Sequence, residues 1–257
     1  MKIYSWNMLY RNQELDHAFE FVSKSDFDIF CLQEVPEAFL KRLQTLPCSL
    51  VFHTDVERLL PSGVVPIYNV ILSKHPITAQ GEIPFKEYWQ FLPLRTRLFV
   101  RAMPSRFFSL IRNRNGLYAD ILVGETSVRV FNLHLILAHP AWRLEEFERA
   151  MAERDPQKKT IVCGDFNTLE APHITPLNWI LGGKVTDALF HHRERAHLER
   201  RFVAHELTNA LRGSITHELS RSQLDHILVS HSSTIKNTSV LPDTFGSDHH
   251  PIRAEIS

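Results

Sequence analysis

Three cysteines in 257 residues cannot all pair with one another, and no two stand at metal-ligand spacing. That scarcity excludes a disulfide framework and a cysteine-based metal site. Cys31 and Cys163 lie inside apolar, strand-like runs, so reduced, buried thiols and a cytoplasmic setting are expected. Charge of one sign is also missing in excess: 29 basic residues balance 29 acidic ones, which removes any global pull toward nucleic acid or anionic membranes and leaves only local attraction. No apolar stretch reaches the roughly 20 residues of a membrane span. The first strand begins at Ile3, leaving no room for the charged and apolar regions of a secretion signal. Repeats and low-complexity tracts are absent.

What is present is enough apolar material for one large core, 44% of the chain. Strand signals run from end to end, so a single domain over 1–257 is expected. Leu15, Ala18, Phe19 and Val22 recur at helical spacing, as do Phe39, Leu40 and Leu43. Leu144, Phe147 and Met151 mark a third helix that Asp155-Pro156 should stop. A fourth should run from about Ile174 to Gly182-Gly183.

The most informative stretch is Ile161 to Asn167, IVCGDFN. A short apolar run ends in Gly-Asp, so a buried strand hands off to a tight turn that carries Asp165 and Asn167 two residues apart. Open α/β sheets place their chemistry at such strand ends. Similar junctions are scattered along the chain: KIYSWN ends at Asn7, FDIFCLQEV delivers Glu34, NLHL carries Asn132 and His134, LDHILVS opens with Asp225, and SDHHPI holds Asp248 and His249. Several strands converging on one polar pocket would produce this pattern.

Taken in this order, the segments resemble the endonuclease/exonuclease/phosphatase superfamily of metal-dependent phosphoesterases over nearly the whole chain. KIYSWN, DIFCLQE, LDHILVS and SDHHPI look most like the exonuclease III and abasic-site endonuclease branch. GDFN and the NLHL histidine look more like pancreatic-type deoxyribonucleases, neutral sphingomyelinases and deadenylases. Met8 and Leu9 stand where the abasic-site branch carries an acidic residue, and His134 where it carries Tyr; both departures point away from abasic-site specificity. The extended motif of inositol polyphosphate 5-phosphatases is not seen around Ser222 to Asp225. The resemblance implies an α/β (α+β) four-layered sandwich, with two mainly antiparallel β-sheets packed face to face, helices outside and the active site at one end.

It also implies a chemistry. Hydrolysing a phosphodiester requires charge neutralisation on the phosphoryl oxygens, an in-line water and a stabilised leaving oxygen. Mg²⁺, with Mn²⁺ as a substitute, takes oxygen ligands and keeps much of its water, so one or two carboxylates suffice. Glu34 is the expected principal ligand, with Asn7 and Asp248 as further metal candidates. Asp165 orients or deprotonates the water, and Asn167 donates to a phosphate oxygen without adding like charge. The resemblance sets His249 and His134 on either side of the scissile phosphate, with Asp225 fixing the tautomer of His249 and raising its pKa. His226 and His250 flank motif residues and are not assigned a role.

One segment is chemically unusual. Tyr88 to Ala119 carries Arg95, Arg97, Arg101, Arg106, Arg112 and Arg114, no acidic residue, and aromatics including Trp89, Phe91, Phe99, Phe107 and Phe108. Such an insertion, at about 88–119, could grip a nucleic acid through Arg95, Arg97 and Arg101. It could equally seat the protein peripherally on an anionic lipid surface. Or its arginines pair with acids elsewhere while its aromatics fill a side core. A second basic stretch, His191 to Arg201, reads as a solvated helix face or loop.

Two function classes result. One is a Mg²⁺-dependent phosphoesterase, expected as a monomer and acting on a nucleic-acid phosphodiester, with phospholipid headgroups (sphingomyelin included) or small phosphoesters as rival substrates. The other is a binding module that has lost catalysis. A degenerate relative should lack at least one of Glu34, Asp165, Asn167, Asp225 or His249, and all five are present, which favours the enzyme.

Overall fold

In this computed structural model, which describes residues 1–61, 63–103, 110–137, 139–190 and 192–257, each face of two β-sheets is buried, and the sequence alternation shows why. In β1 (Lys2–Asn7) and β2 (Ile29–Pro36), Ile3, Ile29 and Cys31 point one way, while Tyr4, Trp6, Phe30 and Leu32 point the other. Successive side chains of a strand leave opposite faces. One set packs between the sheets, the other beneath helices.

The first sheet has seven strands. In spatial order these are β12 (Ile235–Val240), β13 (Ile252–Ile256), β1, β2, β4 (Gly63–Ser73), β3 (Ser49–Leu60) and β6 (Leu110–Arg112). The second has six: β10 (Leu207–Asn209), β11 (Asp225–Ser230), β9 (Lys159–Asp165), β8 (Thr126–His134), β7 (Asn115–Val123) and β5 (Ile77–Pro84). Their inner faces share one core, in which Ile3, Cys31 and Ile71 meet Ala119, Val130, Cys163 and Ile227. Burial pushes the Cys31 thiol well above its ordinary range, so it behaves as a small apolar residue.

Helices α1 (Leu15–Lys24) and α2 (Glu37–Leu43) cover the outer face of the first sheet through Ala18, Val22, Phe39 and Leu43. On the second sheet, α4 (Pro140–Ala152) and α7 (His192–Ala204) do so through Phe147, Met151, Leu198 and Phe202. The result is the expected four-layered sandwich. Between them in sequence lie α3 (Leu94–Ala102), α5 (Pro176–Ile180) and α6 (Val185–Leu189). The helix expected from Ile174 is thus shorter than its apolar pattern, starting at Pro176. The basic stretch 192–201 is the first part of α7. Among the described residues no helix is long and apolar enough to cross a membrane.

Most strand pairs are antiparallel, but β1 with β2 and β8 with β9 are parallel. Each parallel pair needs a crossover, supplied by α1 and α4. Parallel pairing brings both carboxyl ends of a pair to the same edge, so β1, β2, β8 and β9 finish together. Antiparallel β11 and β13 begin at that edge.

Candidate active site

Asp165 ends β9, where it lies opposite His134 on β8 and Asp225 on β11. Gly164 makes that approach feasible. Its φ is +139°, and a Cβ there would stand 1.8 Å from the Leu133 carbonyl oxygen, so no other residue fits without moving the backbone. Asn167, at φ +52°, occupies the left-handed region that Asn tolerates better than most residues. Its backbone N–H donates to Asp165 Oδ1 at 2.7 Å, and its Nδ2 donates to the Leu135 carbonyl at 2.8 Å.

Glu34 reaches the site because β2 bulges. Leu32 pairs with Val70 and Val35 with Tyr68, so Gln33 and Glu34 together oppose Asn69. Glu34 adopts φ +54° there, a conformation uncommon outside glycine and concentrated at functional sites. Asn132 of the NLHL motif braces the bulge: its Nδ2 donates to the Leu32 and Val70 carbonyls, each at 2.9 Å, and its Oδ1 accepts from Gln33 at 2.7 Å. This fully buried bridge ties the two sheets together.

Around Asp165 the groups converge closely. Asn7 Nδ2 donates to Asp165 Oδ2 at 3.0 Å and lies 3.5 Å from Glu34 Oε1. Glu34 Oε2 accepts the Tyr10 N–H at 3.1 Å. His134 Nε2 stands 3.8 Å from Glu34 Oε1 and 3.9 Å from Asp165 Oδ2. His249 Nε2 stands 3.7 Å from the same Asp165 oxygen. Two imidazoles therefore flank one buried carboxylate.

Each imidazole is held from behind by a second carboxylate. His249 Nδ1 meets Asp225 Oδ2 at 2.8 Å, and His134 Nδ1 meets Asp55 Oδ2 at 2.6 Å. Burial acts to lower both pKa values, but the carboxylates outweigh it, raising His249 to about 10 and His134 to about 9. These partners favour the imidazolium form of both rings at neutral pH. Burial pushes the Asp165 carboxyl above its ordinary range, against the pull of His249 and His134.

Sequence reasoning missed Asp55, Thr216 and His217. Asp55 is the extra residue of a second bulge, between Thr54 and Val56 of β3, and bulges commonly re-aim a side chain next to a site. Nothing in the local run FHTDVER distinguishes it from a surface acid. Thr216 donates to Asp225 Oδ2 at 2.7 Å, and His217 Nε2 lies 3.7 Å from Asp248. Asp248 itself joins from the His249 side, at 4.0 Å from Nε2. Among the described residues, two clusters place metal-capable atoms within 4.8 Å of one another: Asp165, Asp225 and His249, and His217, Asp248 and His249.

His226 faces away from this edge. Arg195 donates to its Nε2, and its Nδ1 pairs with the Leu224 carbonyl at 2.9 Å, an arrangement that fits only the neutral ring. Burial drives its pKa well down.

The arginine-rich segment is largely occupied with its own fold. Arg95 donates to the carbonyls of Trp179 and Gly183, at 3.0 and 2.8 Å, and Arg97 to those of Leu92 and Gln90. Arg112 pairs with Glu57 and Arg114 with Glu146. Arg101 is exposed at the end of α3. Arg106, Phe107 and Phe108 lie outside the described residues, and from Asn115 onward the segment is strand β7 of the second sheet.

A cavity of about 430 Å³ opens over these groups, lined at one part by Asn7, Glu34, His134, Asp165, Asn167, Asp248 and His249. The arrangement can bind an anion between two cations beside a cluster of oxygen donors.

The fold and the sequence have relatives. No curated protein matches the chain significantly. Solved structures do so over its full length. One is a 3′ phosphatase from Neisseria bound to a product DNA hairpin, at 20% identity and TM-score 0.64 over 99% of that chain. Another is a mannosyl-6-phosphatase from Bacteroides thetaiotaomicron, at 18% and 0.67 over 99% of that chain. A third is an endonuclease/exonuclease/phosphatase family protein from Leptotrichia buccalis, at 13% and 0.68 over 99% of that chain. At such identities the likeness is one of fold. The sequence model of the family matches residues 4–249, nearly the whole chain, and the protein belongs to the Endonuclease/Exonuclease/phosphatase family.

Proposed function

We propose that this protein is a Mg²⁺-dependent phosphoesterase that hydrolyses a phosphodiester. The observation that carries this reading is the placement of Asp165 Oδ2 between two imidazole Nε2 atoms, at 3.7 and 3.9 Å, beside Glu34 and Asn7. The donor set suits a hard divalent ion: the Glu34 and Asp165 carboxylates meet at one buried edge, and Asn7, whose Nδ2 now faces both while its Oδ1 accepts the Leu9 N–H, would turn its carboxamide oxygen to the ion. Glu34 and Asn7 would hold the ion, with Asp248 available from the His249 side. When bound, it would neutralise charge on the phosphoryl oxygens and on the departing oxygen.

The protein's own groups do the rest. His134 and His249, both cationic, donate from Nε2 to phosphoryl oxygens, and charge-assisted bonds of this kind are strong. Asp165, its basicity raised by burial, orients a water and accepts its proton. Asn167 spends one Nδ2 proton on Leu135 and has a second for the phosphate. Asp225 and Asp55 keep both rings protonated and oriented.

Nucleic acids and amphiphilic lipids both present the diester that this constellation would bind, and the cavity walls decide between them. A panel of plasmid DNA, single-stranded DNA, RNA, abasic-site duplex and sphingomyelin, each with Mg²⁺, Mn²⁺ or EDTA, tests the reading. Hydrolysis that depends on added metal is expected; full turnover in excess EDTA would overturn it.

A further inference from the structure

We infer that the substrate is a phosphoester with one aliphatic chain, and that this chain lies in an apolar trough continuous with the phosphate site. The inference rests on the phosphoesterase reading. Beyond the polar groups, the same cavity is walled by Leu92 and Val100 of the α3 region, Ile174, Leu177 and Leu181 around α5, and Ile111 of β6. None of these residues brings a charge or a hydrogen-bonding side chain.

Charge is distributed as an amphiphile requires. Three cations stand in the cavity wall: Arg58, opposite Ile111 in the β3–β6 pair, lies over the Tyr10 ring at 4.2 Å and Arg11 at 5.5 Å, and the Tyr10 N–H binds Glu34. Arg114 donates to the His134 carbonyl and pairs with Glu146. Among the described residues, the α3 and α5 walls carry no such group for a second or third phosphate. A polynucleotide laid against them would desolvate phosphates against leucines, at a cost no described group there offsets. An aliphatic chain would be stabilised by every methylene it buries.

One further feature points the same way. Helices α3 and α5 of the wall, and α6 packed on α5, also expose large apolar side chains outside the cavity: Leu94 (71%) and Leu98 (57%), Trp179 (42%) and Leu189 (66%), while Leu219 (77%) stands in the cavity wall itself. Apolar exposure on the elements that wall a binding site suits the entry of a water-insoluble ligand. In the reaction, water adds to phosphorus, the ester P–O bond breaks, and the departing oxygen takes up a proton.

The test is a series of alkyl 4-nitrophenyl phosphate diesters from ethyl to dodecyl, each below its critical micelle concentration, with Mg²⁺. We expect kcat/KM to rise about fourfold per methylene until the trough is filled, and thymidine 5′-(4-nitrophenyl phosphate) to gain nothing comparable. In Val100→Glu the dodecyl-to-ethyl ratio should collapse, a ratio that is independent of the folded fraction. A flat chain-length series, or a nucleotide diester preferred over the dodecyl one, would overturn the inference while leaving the phosphoesterase reading intact. If no diester is cleaved, the phosphoesterase reading fails, and calorimetric titration with ethyl to decyl phosphate in EDTA still decides the trough: affinity that grows with chain length supports it, and constant affinity sinks it.

Discussion

Asp55 and Asp225 perform the same task from opposite sheets, each accepting from the Nδ1 of an imidazole whose Nε2 faces Asp165. Only one of the two was legible in the sequence. Asp225 stands at the head of an apolar strand, a position that marks it, whereas Asp55 sits in a bulge whose existence depends on how β3 pairs with β4. Asp55→Asn should lower the His134 pKa from about 9 and cut kcat about ten- to a hundredfold, since a carboxylate behind a functional histidine sets its orientation and basicity. A pH–rate profile checks this: the alkaline limb should move to lower pH, which a purely structural defect would not produce. Glu34, Asp165, Asn167 and His249 were legible for the opposite reason: each follows an apolar run or a tight turn that fixes where its side chain must emerge.

At the scale of elements, the two parallel pairs make the site possible, and their close approach depends on a single glycine. Gly164→Ala should destabilise the protein by about 2–6 kcal/mol, combining an unfavourable φ with a Cβ forced against the Leu133 carbonyl; urea unfolding measures it, and wild-type stability would contradict the packing described. Helices α1, α2 and α4 were readable from 3.6-residue spacing because each presents one apolar face to a sheet. The segment from Tyr88 to Arg114 was not. Its arginines suggested a surface for polyanions, yet Arg95 and Arg97 donate to backbone carbonyls that close the α3–α5 region. Composition cannot distinguish a guanidinium that binds phosphate from one that binds its own chain, because both need the same donor.

Over the whole molecule, the charged partners of the buried histidines divide them into two classes with opposite consequences for stability: carboxylates behind His134 and His249, Arg195 beside His226. His134 and His249 have folded pKa values raised to about 9 and 10 from 6.5. Their stabilising contribution is complete below pH 6.5 and is lost as pH rises through those values. His226 is depressed well below 6.5, so its neutral form is favoured on folding and its contribution is lost as pH falls below 6.5. In chelator, unfolding free energy should therefore decline on both sides of about pH 6.5. His249→Gln should flatten the alkaline side; an unchanged alkaline slope would show that His249 is not charged in the fold.

The apolar trough belongs to this scale too, and it escaped the sequence because its wall comes from separate segments whose leucines and valines each look like ordinary core. The polar edge beside it was visible where its residues, Asn7, Glu34, Asp165 and Asp225, end or head an apolar run.

Central to the proposed function is Asp165 as a base between two imidazoles, beside a metal that Glu34 would hold. The most direct measurement is kcat for bis(4-nitrophenyl) phosphate across a Mg²⁺ titration, in the wild type, Glu34→Gln and Asp165→Asn. Glu34→Gln should shift the Mg²⁺ midpoint to higher concentration without loss of fold. Asp165→Asn should leave that midpoint within a few-fold but lower saturating kcat at least about a hundredfold. Near wild-type kcat in Asp165→Asn, or an unmoved midpoint in Glu34→Gln, would contradict it.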